Sequence, residues 1–265
     1  MISVIVIDLD GTLLNENHCI STSSIQTLQQ LNSDGIEVVL ATGRHYQDVY
    51  LLAQQLAFPV WLITSNGARV HNLKGELIYE NHIPVHLVAE ILKLSTGFEV
   101  HRNIYQQDLW LVEEANEPLL NIHHSSGFAY RICDFAHLDY RHIDKFYFNA
   151  SYEHLKPLHH QLTQAFGEQL YITFTTEHYL EVMNQGVSKA QGLLSILNQM
   201  DITLNQVMAF GDGLNDLELL KNVAHPVVMA NAHPELKRQI PDAYQALSNQ
   251  NDGVARYLEQ YFLKE

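Results

Sequence analysis

The main evidence for the fold is the stretch Val4-Ile5-Val6-Ile7-Asp8-Leu9-Asp10-Gly11-Thr12, in which a strand that is predicted to be buried leads directly into a polar cluster. The β-branched run Val4–Ile7 is typical of a strand that is covered on both faces. Two more apolar runs follow, at Ile36–Leu40 and Val60–Ile63. The segments between them are amphipathic and predict helices at Ser21–Leu31 and Tyr46–Leu56. Alternation of this kind predicts a parallel α/β sheet with right-handed crossovers.

The pattern changes in the middle of the chain. After a predicted hairpin at 68–79, residues 82–185 carry strands and helices in a different order, with the aromatic run Phe146-Tyr147-Phe148 among them. After Gly186 the strand-helix alternation returns. We therefore predict a Rossmann-like α/β core, formed by residues 1–81 and 186–265, that is interrupted by an inserted α+β domain at 82–185.

Composition limits the possible functions. The chain has 265 residues, of which 46% are hydrophobic, and a formal net charge of -15, which argues against a nucleic-acid groove. Cys19 and Cys133 form no C-x-x-C pair, and the 16 histidines show no spacing typical of a metal site, so a structural zinc site is not expected. No apolar run approaches the roughly 18 to 20 residues that cross a bilayer. We expect a cytoplasmic protein without a membrane partner.

Polar clusters follow three of the predicted strands. The first contains Asp8 and Asp10, the second is Thr42-Gly43-Arg44, and the third is Gly211-Asp212-Gly213-Leu214-Asn215-Asp216. Open α/β sheets bind ligands at the carboxyl ends of their strands, so these side chains are expected to converge. Four neighbouring carboxylates repel one another unless a cation lies between them. Oxygen ligands favour Mg²⁺, held by Asp8, Asp10, Asp212 and Asp216.

The same residues predict phosphoryl transfer. Asp8 would be the nucleophile that forms an aspartyl-phosphate, and Asp10 would protonate the leaving oxygen and later activate water. Developing charge on the phosphoryl oxygens needs donors around it. We assign that role to Thr42, the amides of Leu9 and Gly43, Asn215 and a lysine.

These motifs resemble the haloacid dehalogenase superfamily, specifically its Cof-type phosphatases with a large inserted α/β cap of the C2B type. The residues that carry the resemblance are Asp8–Leu14, Thr42–Arg44, Gly186–Lys189 and Gly211–Asp216, in the family's order. The resemblance implies that Lys189 binds phosphate, that Asp212 binds Mg²⁺ and that Asp216 orients the metal's ligands. The segment Val228-Met229-Ala230-Asn231-Ala232 departs from it, because the family usually has Met-Gly-Asn-Ala.

The resemblance implies a Mg²⁺-dependent phosphatase that hydrolyses small phosphorylated metabolites through an aspartyl-phosphate. Relatives dephosphorylate sugar phosphates, pyridoxal phosphate or flavin mononucleotide, and the cap is expected to close over the substrate. Candidate substrate contacts are Arg44, Asn66, Glu181 and Asn231. The expected partner is a small phosphorylated metabolite, and the chain is expected to be a monomer or a weak homo-oligomer.

Other functions remain to be weighed against this one. A phosphomutase would pass the phosphoryl group to a second sugar hydroxyl on the same scaffold. A phospho-accepting signalling receiver fits less well, because Ile63-Thr64-Ser65-Asn66 offers no acceptor acid after the third strand. A dinucleotide site lacks its G-x-G-x-x-G, and an EF-hand reading puts Val223 where a glutamate is needed.

Overall fold

The computed structural model describes residues 1–123 and 126–263. The chain divides into two compact units. Unit 1 consists of Met1–Arg44, Val49–Tyr79 and Ser188–Glu265, and unit 2 consists of His45–Asp48 and Glu80–Val187. None of the helices within the described ranges is long and apolar enough to cross a membrane.

The first part of the chain alternates strands and helices. Its elements are β1 (Val4–Ile7), α1 (Thr22–Ser33), β2 (Glu37–Ala41), α2 (Tyr46–Gln54), β3 (Trp61–Thr64), β4 (Arg69–His71) and β5 (Leu77–Glu80). The side chain of Ser21 caps α1 by accepting a hydrogen bond from the Ser24 amide, as expected for a serine at a helix start. All four residues of β1 are fully buried, which fits a strand covered on both faces.

The middle of the chain builds a second sheet and its helices. Its elements are α3 (Val85–Ser95), β6 (His101–Gln106), β7 (Leu109–Val112), α4 (Glu117–Ile122), β8 (Arg131–Ile132), β9 (Ile143–Asn149), α5 (Tyr152–Phe166), β10 (Leu170–Thr176) and β11 (Tyr179–Asn184). The six strands lie in the order β10-β11-β9-β6-β7-β8. Apolar residues of α3 and α5 pack with Phe146, Phe148 and Val182 in one core cluster.

The last part of the chain returns to unit 1. Its elements are α6 (Lys189–Met200), β12 (Val207–Gly211), α7 (Leu217–Asn222), β13 (His225–Met229), α8 (Pro234–Gln239), β14 (Tyr244–Ala246) and α9 (Gly253–Phe262). The sheet of unit 1 has eight strands in the order β14-β13-β12-β1-β2-β3-β4-β5. Strands β14 to β3 pair in parallel, so the predicted α/β fold class with a parallel-sheet core is confirmed.

The sequence patterns did not predict every element. Strand β6 was missed because its sequence, His-Arg-Asn-Ile-Tyr-Gln, is largely polar. Its buried polar side chains have partners inside the protein: Asn103 accepts a hydrogen bond from Trp110 Nε1 at 3.0 Å, and Gln106 donates to the Asp139 carbonyl at 2.6 Å. A hydropathy pattern does not show that polar side chains have hydrogen-bond partners inside the protein, so it does not identify such a strand as buried. The short elements α4, β8, α8 and β14 were also not predicted.

Candidate active site

Two neighbouring parallel strands bring distant aspartates together. Strands β1 and β12 pair with Ile7 beside Phe210, and Asp8 and Asp212 follow shortly after these two residues. Carboxylate oxygens of Asp8, Asp212 and Asp216 lie within 4.8 Å of one another. Asp8 and Asp216 are buried, and Asp212 is partly buried. An acidic cluster therefore lies at the carboxyl edge of the sheet, where α/β proteins bind ligands.

A buried lysine lies against this acidic cluster. Lys189 is the first residue of α6 and is fully buried, although lysines are usually exposed. Its Nζ donates hydrogen bonds to Asp8 Oδ1 and Asp216 Oδ1, both at 2.6 Å. Burial alone would lower the pKa of Lys189, but the charges of Asp216 and Asp8 raise it above its ordinary value, so the side chain stays charged.

Asp216 also fixes the loop that carries Asp212. Its Oδ2 accepts hydrogen bonds from the amides of Asp212 at 3.0 Å and Gly213 at 2.9 Å. Because Lys189 occupies the other oxygen, Asp216 orients the lysine and the loop. Asp212 is held separately, since its Oδ1 accepts a hydrogen bond from Thr12 Oγ1 at 2.8 Å.

The carboxylates repel one another. Burial raises the pKa of Asp8 well above its usual range, and the charges of Asp216 and Asp212 raise it further against the opposing effect of Lys189. Burial, together with Asp216, raises the pKa of Asp212 from 3.8 to about 6, and the hydrogen bond from Thr12 opposes this shift. One lysine does not compensate three carboxylates, so the cluster has room for another positive charge.

The cluster fits a divalent cation of the Mg²⁺ type. The charge of Asp212 raises the pKa of Asp8, so these two neighbouring carboxylates repel each other when both are ionised. A cation bound between them would offset this repulsion. Oxygen-only ligands suit Mg²⁺, and Asp8 and Asp212 are the residues that would hold it.

The carboxylate of Asp10 does not point into this cluster. Arg44 donates from Nε to Asp10 Oδ2 at 2.7 Å and from Nη2 to Asp10 Oδ1 at 2.6 Å. The Arg44 side chain is 8% exposed, whereas that of Asp10 is 47% exposed. This differs from the expectation that four aspartates converge, because the guanidinium holds Asp10 on the solvent side.

The loops after β2, β3 and β12 are joined by amide side chains. Asn66 donates its backbone N–H to the Thr42 carbonyl at 2.9 Å, and its Oδ1 accepts a hydrogen bond from Asn215 Nδ2 at 3.0 Å. Thr42 Oγ1 accepts from the Arg44 amide at 3.1 Å, which shapes the turn that contains Gly43. These residues lie in unit 1, as do Asp8 and Leu9.

Two glycines allow the loops to approach one another closely. Gly11 has φ +78°, and a Cβ there would lie 2.3 Å from Asp212 Oδ2. Gly67 has φ +102°, and a Cβ there would lie 2.1 Å from the Ser188 carbonyl, next to Lys189. Any larger residue would strain the backbone and push apart the aspartate loops or the start of α6.

Two candidate substrate contacts have structural partners. Asn231 donates to the Gly11 carbonyl at 2.7 Å and accepts from the Asn249 amide at 3.1 Å, so it braces the loop after Asp8. Glu181 belongs to unit 2, where its Oε1 accepts a hydrogen bond from Lys145 Nζ at 2.6 Å. Both members of this ion pair are buried.

Sequence reasoning missed some of these residues. Thr12 was quoted in the first motif without a role, although its hydroxyl orients Asp212. Asn66 was assigned to substrate contact, and its bridge to Asn215 was not foreseen. Lys145 was not identified because it lies inside the aromatic run of β9. A lysine within such a buried strand is the signal that could have indicated an ion pair.

Comparison with known proteins shows that the chain is similar to phosphatases. The family model described as haloacid dehalogenase-like hydrolase matches residues 5–258. A Yersinia pestis protein named HMP-PP phosphatase is 34% identical over 254 residues, which cover 96% of this chain and 93% of that protein.

Solved structures share the fold. A haloacid dehalogenase-like hydrolase from Bacteroides thetaiotaomicron has a TM-score of 0.88 at 28% identity, covering 99% of this chain and 100% of that one. A haloacid dehalogenase-like hydrolase from B. subtilis has a TM-score of 0.87 at 29% identity, covering 97% and 99% of the two chains.

Proposed function

The chain belongs to the haloacid dehalogenase-like hydrolases and is a phosphatase, and on that premise we propose that it hydrolyses small phosphorylated metabolites with Mg²⁺, using Asp8 as nucleophile. The observation that carries this proposal is the hydrogen bond of 2.6 Å from Lys189 Nζ to Asp8 Oδ1. Burial raises the pKa of Asp8, and the buried ammonium group of Lys189 opposes this shift, so it favours the ionised form of the carboxylate that attacks phosphorus.

Phosphoryl transfer needs positive charge at the position where the phosphoryl oxygens lie. Lys189 supplies one fixed charge, and the Thr42 hydroxyl and the amides of Leu9 and Gly43 are the proposed neutral donors. When bound at Asp8 and Asp212, Mg²⁺ would add Lewis-acid polarisation of the phosphoryl group. In-line attack by Asp8 forms the aspartyl-phosphate and releases the leaving oxygen.

Asp10 is the proposed general acid and base. Its carboxylate is 47% exposed and held by two hydrogen bonds from Arg44, so it is accessible and oriented. It would give a proton to the leaving oxygen and then take one from the water that hydrolyses the aspartyl-phosphate. Arg44 positions Asp10 for both steps, a role that differs from the substrate contact suggested for this arginine from the sequence.

The relatives suggest which substrate to test first. Because the Yersinia pestis relative is named HMP-PP phosphatase, we propose HMP-PP as the leading candidate for this chain. Sugar phosphates, pyridoxal phosphate and flavin mononucleotide remain candidates, as the family resemblance implies.

A substrate panel tests the proposal directly. HMP-PP, sugar phosphates, pyridoxal phosphate and flavin mononucleotide are compared by kcat/KM with Mg²⁺ present, and free phosphate is measured. We expect free phosphate from at least one member and loss of turnover when a chelator removes Mg²⁺. Phosphate that arrives on a second sugar hydroxyl would instead identify a phosphomutase. Full turnover in excess chelator would contradict the role assigned to the carboxylate cluster.

A further inference from the structure

Unit 2 contains a second group of side chains of the kind that ligate metals. Ligand atoms of Glu80, His82 and His142 lie within 4.8 Å of one another. All three residues belong to unit 2, and none of them is part of the active site described above. We propose that Glu80, His82 and His142 form a Zn²⁺ site, with Asp144 orienting His82.

The hydrogen bond to Asp144 fixes which nitrogen of His82 faces the site. His82 Nδ1 lies 2.9 Å from Asp144 Oδ1, and Asp144 is fully buried. A carboxylate accepts only, so Nδ1 donates to Asp144, and Nε2 is the nitrogen that faces Glu80 and would bind a metal in its deprotonated form. Histidine ligands of metals are usually held in this way by a carboxylate behind the ring.

The second ring nitrogen of His82 faces the carboxylate of Glu80. Nε2 lies 3.1 Å from Glu80 Oε2, but it is shielded from solvent and its contact is not aligned as a hydrogen bond. Without a metal, a proton on Nε2 offsets the charge of Glu80, and Zn²⁺ bound between the two ligands would replace that proton. Ligand bonds of about 2.0–2.2 Å to Zn²⁺ separate two corners of a tetrahedron by about 3.3–3.6 Å, slightly more than the observed spacing.

His142 provides the third donor. Its ring lies 5.0 Å from that of His82, at an interplanar angle of 87°. A set of two imidazoles and one carboxylate suits Zn²⁺ and leaves its fourth position open to water. Glu80 and His142 are exposed, so an ion can reach the site.

Such a site would connect distant parts of unit 2. Glu80 and His82 lie at the beginning of its long segment, whereas His142 immediately precedes the central strand β9. The site was not predicted because Glu80 and His82 are separated from His142 by about 60 residues, and the sequence has no compact ligand spacing. A bound ion would hold the first residues of this segment to β9 and oppose their local opening.

The test is a Zn²⁺ titration of the full chain in excess Mg²⁺, with a competing chromophoric chelator to report affinity. Competition from the active-site cluster is weakened by using Asp8→Asn, which removes one of its three carboxylates, as the background for every variant. We expect one equivalent of tight Zn²⁺ in this background. Glu80→Gln or His142→Asn should weaken it at least ~100-fold, and Asp144→Asn should weaken it by roughly 10- to 100-fold.

A matched control distinguishes this site from ordinary surface histidines. His137 is exposed and lies 2.8 Å from an aspartate, Asp134, in the same way as His82 pairs with Asp144. His137→Asn should leave Zn²⁺ affinity unchanged. Asparagine is used at position 142 because His142 has φ +58°, which asparagine tolerates. The proposal fails if no equivalent binds, or if Glu80→Gln and His142→Asn bind Zn²⁺ as His137→Asn does.

Discussion

Arg44 holds the carboxylate of Asp10 with two hydrogen bonds, from Nε at 2.7 Å and from Nη2 at 2.6 Å. A planar guanidinium matches both carboxylate oxygens, which lysine does not do. The arginine is buried and the aspartate is half exposed, so the buried guanidinium determines where the exposed carboxylate lies. If Asp10 is the general acid, this pairing determines its starting position in catalysis.

Asp10→Asn should lower kcat/KM, which reports the formation of the aspartyl-phosphate, by roughly 10²- to 10⁴-fold with a substrate whose leaving oxygen needs a proton. The loss should be much smaller with p-nitrophenyl phosphate, because nitrophenolate leaves without protonation. Steady-state kinetics on both substrates measure the difference. Arg44→Lys should show the same selectivity in weaker form. Equal losses of kcat/KM on both substrates would show that Asp10 is not the general acid.

Asp8→Asn should abolish phosphate release while the fold persists, because the amide keeps the size of the carboxylate but cannot attack phosphorus. Phosphate release and far-UV circular dichroism are measured together. Asp34→Asn is the matched control, since Asp34 is an exposed residue after α1 and touches no active-site group. Turnover by Asp8→Asn comparable to that of Asp34→Asn would remove Asp8 as the nucleophile.

Lys189→Met should destabilise the protein as well as inactivate it. The substitution leaves Asp8 and Asp216 buried without their cation, and breaking a buried pair in this way costs about 3–5 kcal/mol. Urea unfolding at neutral pH measures the change. The deficit should shrink as pH falls, because the pKa of Asp8 is raised and its protonation removes an unpaired buried charge. A deficit that does not vary with pH would show that lost packing, not charge, is the cause.

The metal-free protein should lose stability as the pH rises. The pKa of Asp212 is raised from 3.8 to about 6, so its contribution is complete below pH 4 and is lost as the pH passes through 6. The loss should be about 3 kcal/mol, at about 1.4 kcal/mol per pKa unit, and the raised pKa of Asp8 acts in the same direction. Urea unfolding in chelator from pH 4 to 7 measures it.

Added Mg²⁺ should flatten this pH profile, because the cation stabilises the ionised carboxylates in the folded state. Asp212→Asn is the control, and it should be less sensitive to pH in chelator. A profile that Mg²⁺ leaves unchanged would argue against metal binding at Asp8 and Asp212.

Two substitutions of Asn66 separate the effect of backbone strain on stability from the effect of a lost hydrogen bond on catalysis. It has φ +57°, and its Oδ1 accepts a hydrogen bond from Asn215. Asn66→Gly and Asn66→Ala both delete that bond, but only alanine strains the left-handed backbone, by about 1–2 kcal/mol. We expect equal losses of kcat/KM and a larger loss of stability for alanine. Unchanged kinetics in the glycine variant would show that the bridge to Asn215 is structural only.

The core architecture and the type of chemistry could be predicted from the sequence alone. Strand β1 was predicted at Val4–Ile7 with the bounds it has in the structure, because a continuous β-branched run is a local signal of a buried strand. The aspartates were found because they follow such strands. Strand β6 was not found, because its sequence is largely polar and the partner of a buried side chain such as Gln106 lies far along the chain, at the Asp139 carbonyl.

The pairing of the charged side chains is evident only in the folded structure. No local pattern indicates that Lys189 is buried between Asp8 and Asp216, that Arg44 holds Asp10 away from the other carboxylates, or that Glu80 and His82 meet His142. Hydrophobic periodicity records which face of an element is buried. The partner of a charge depends on which loops the assembled sheets place side by side, at distances of a few ångströms that the spacing of residues along the chain does not encode.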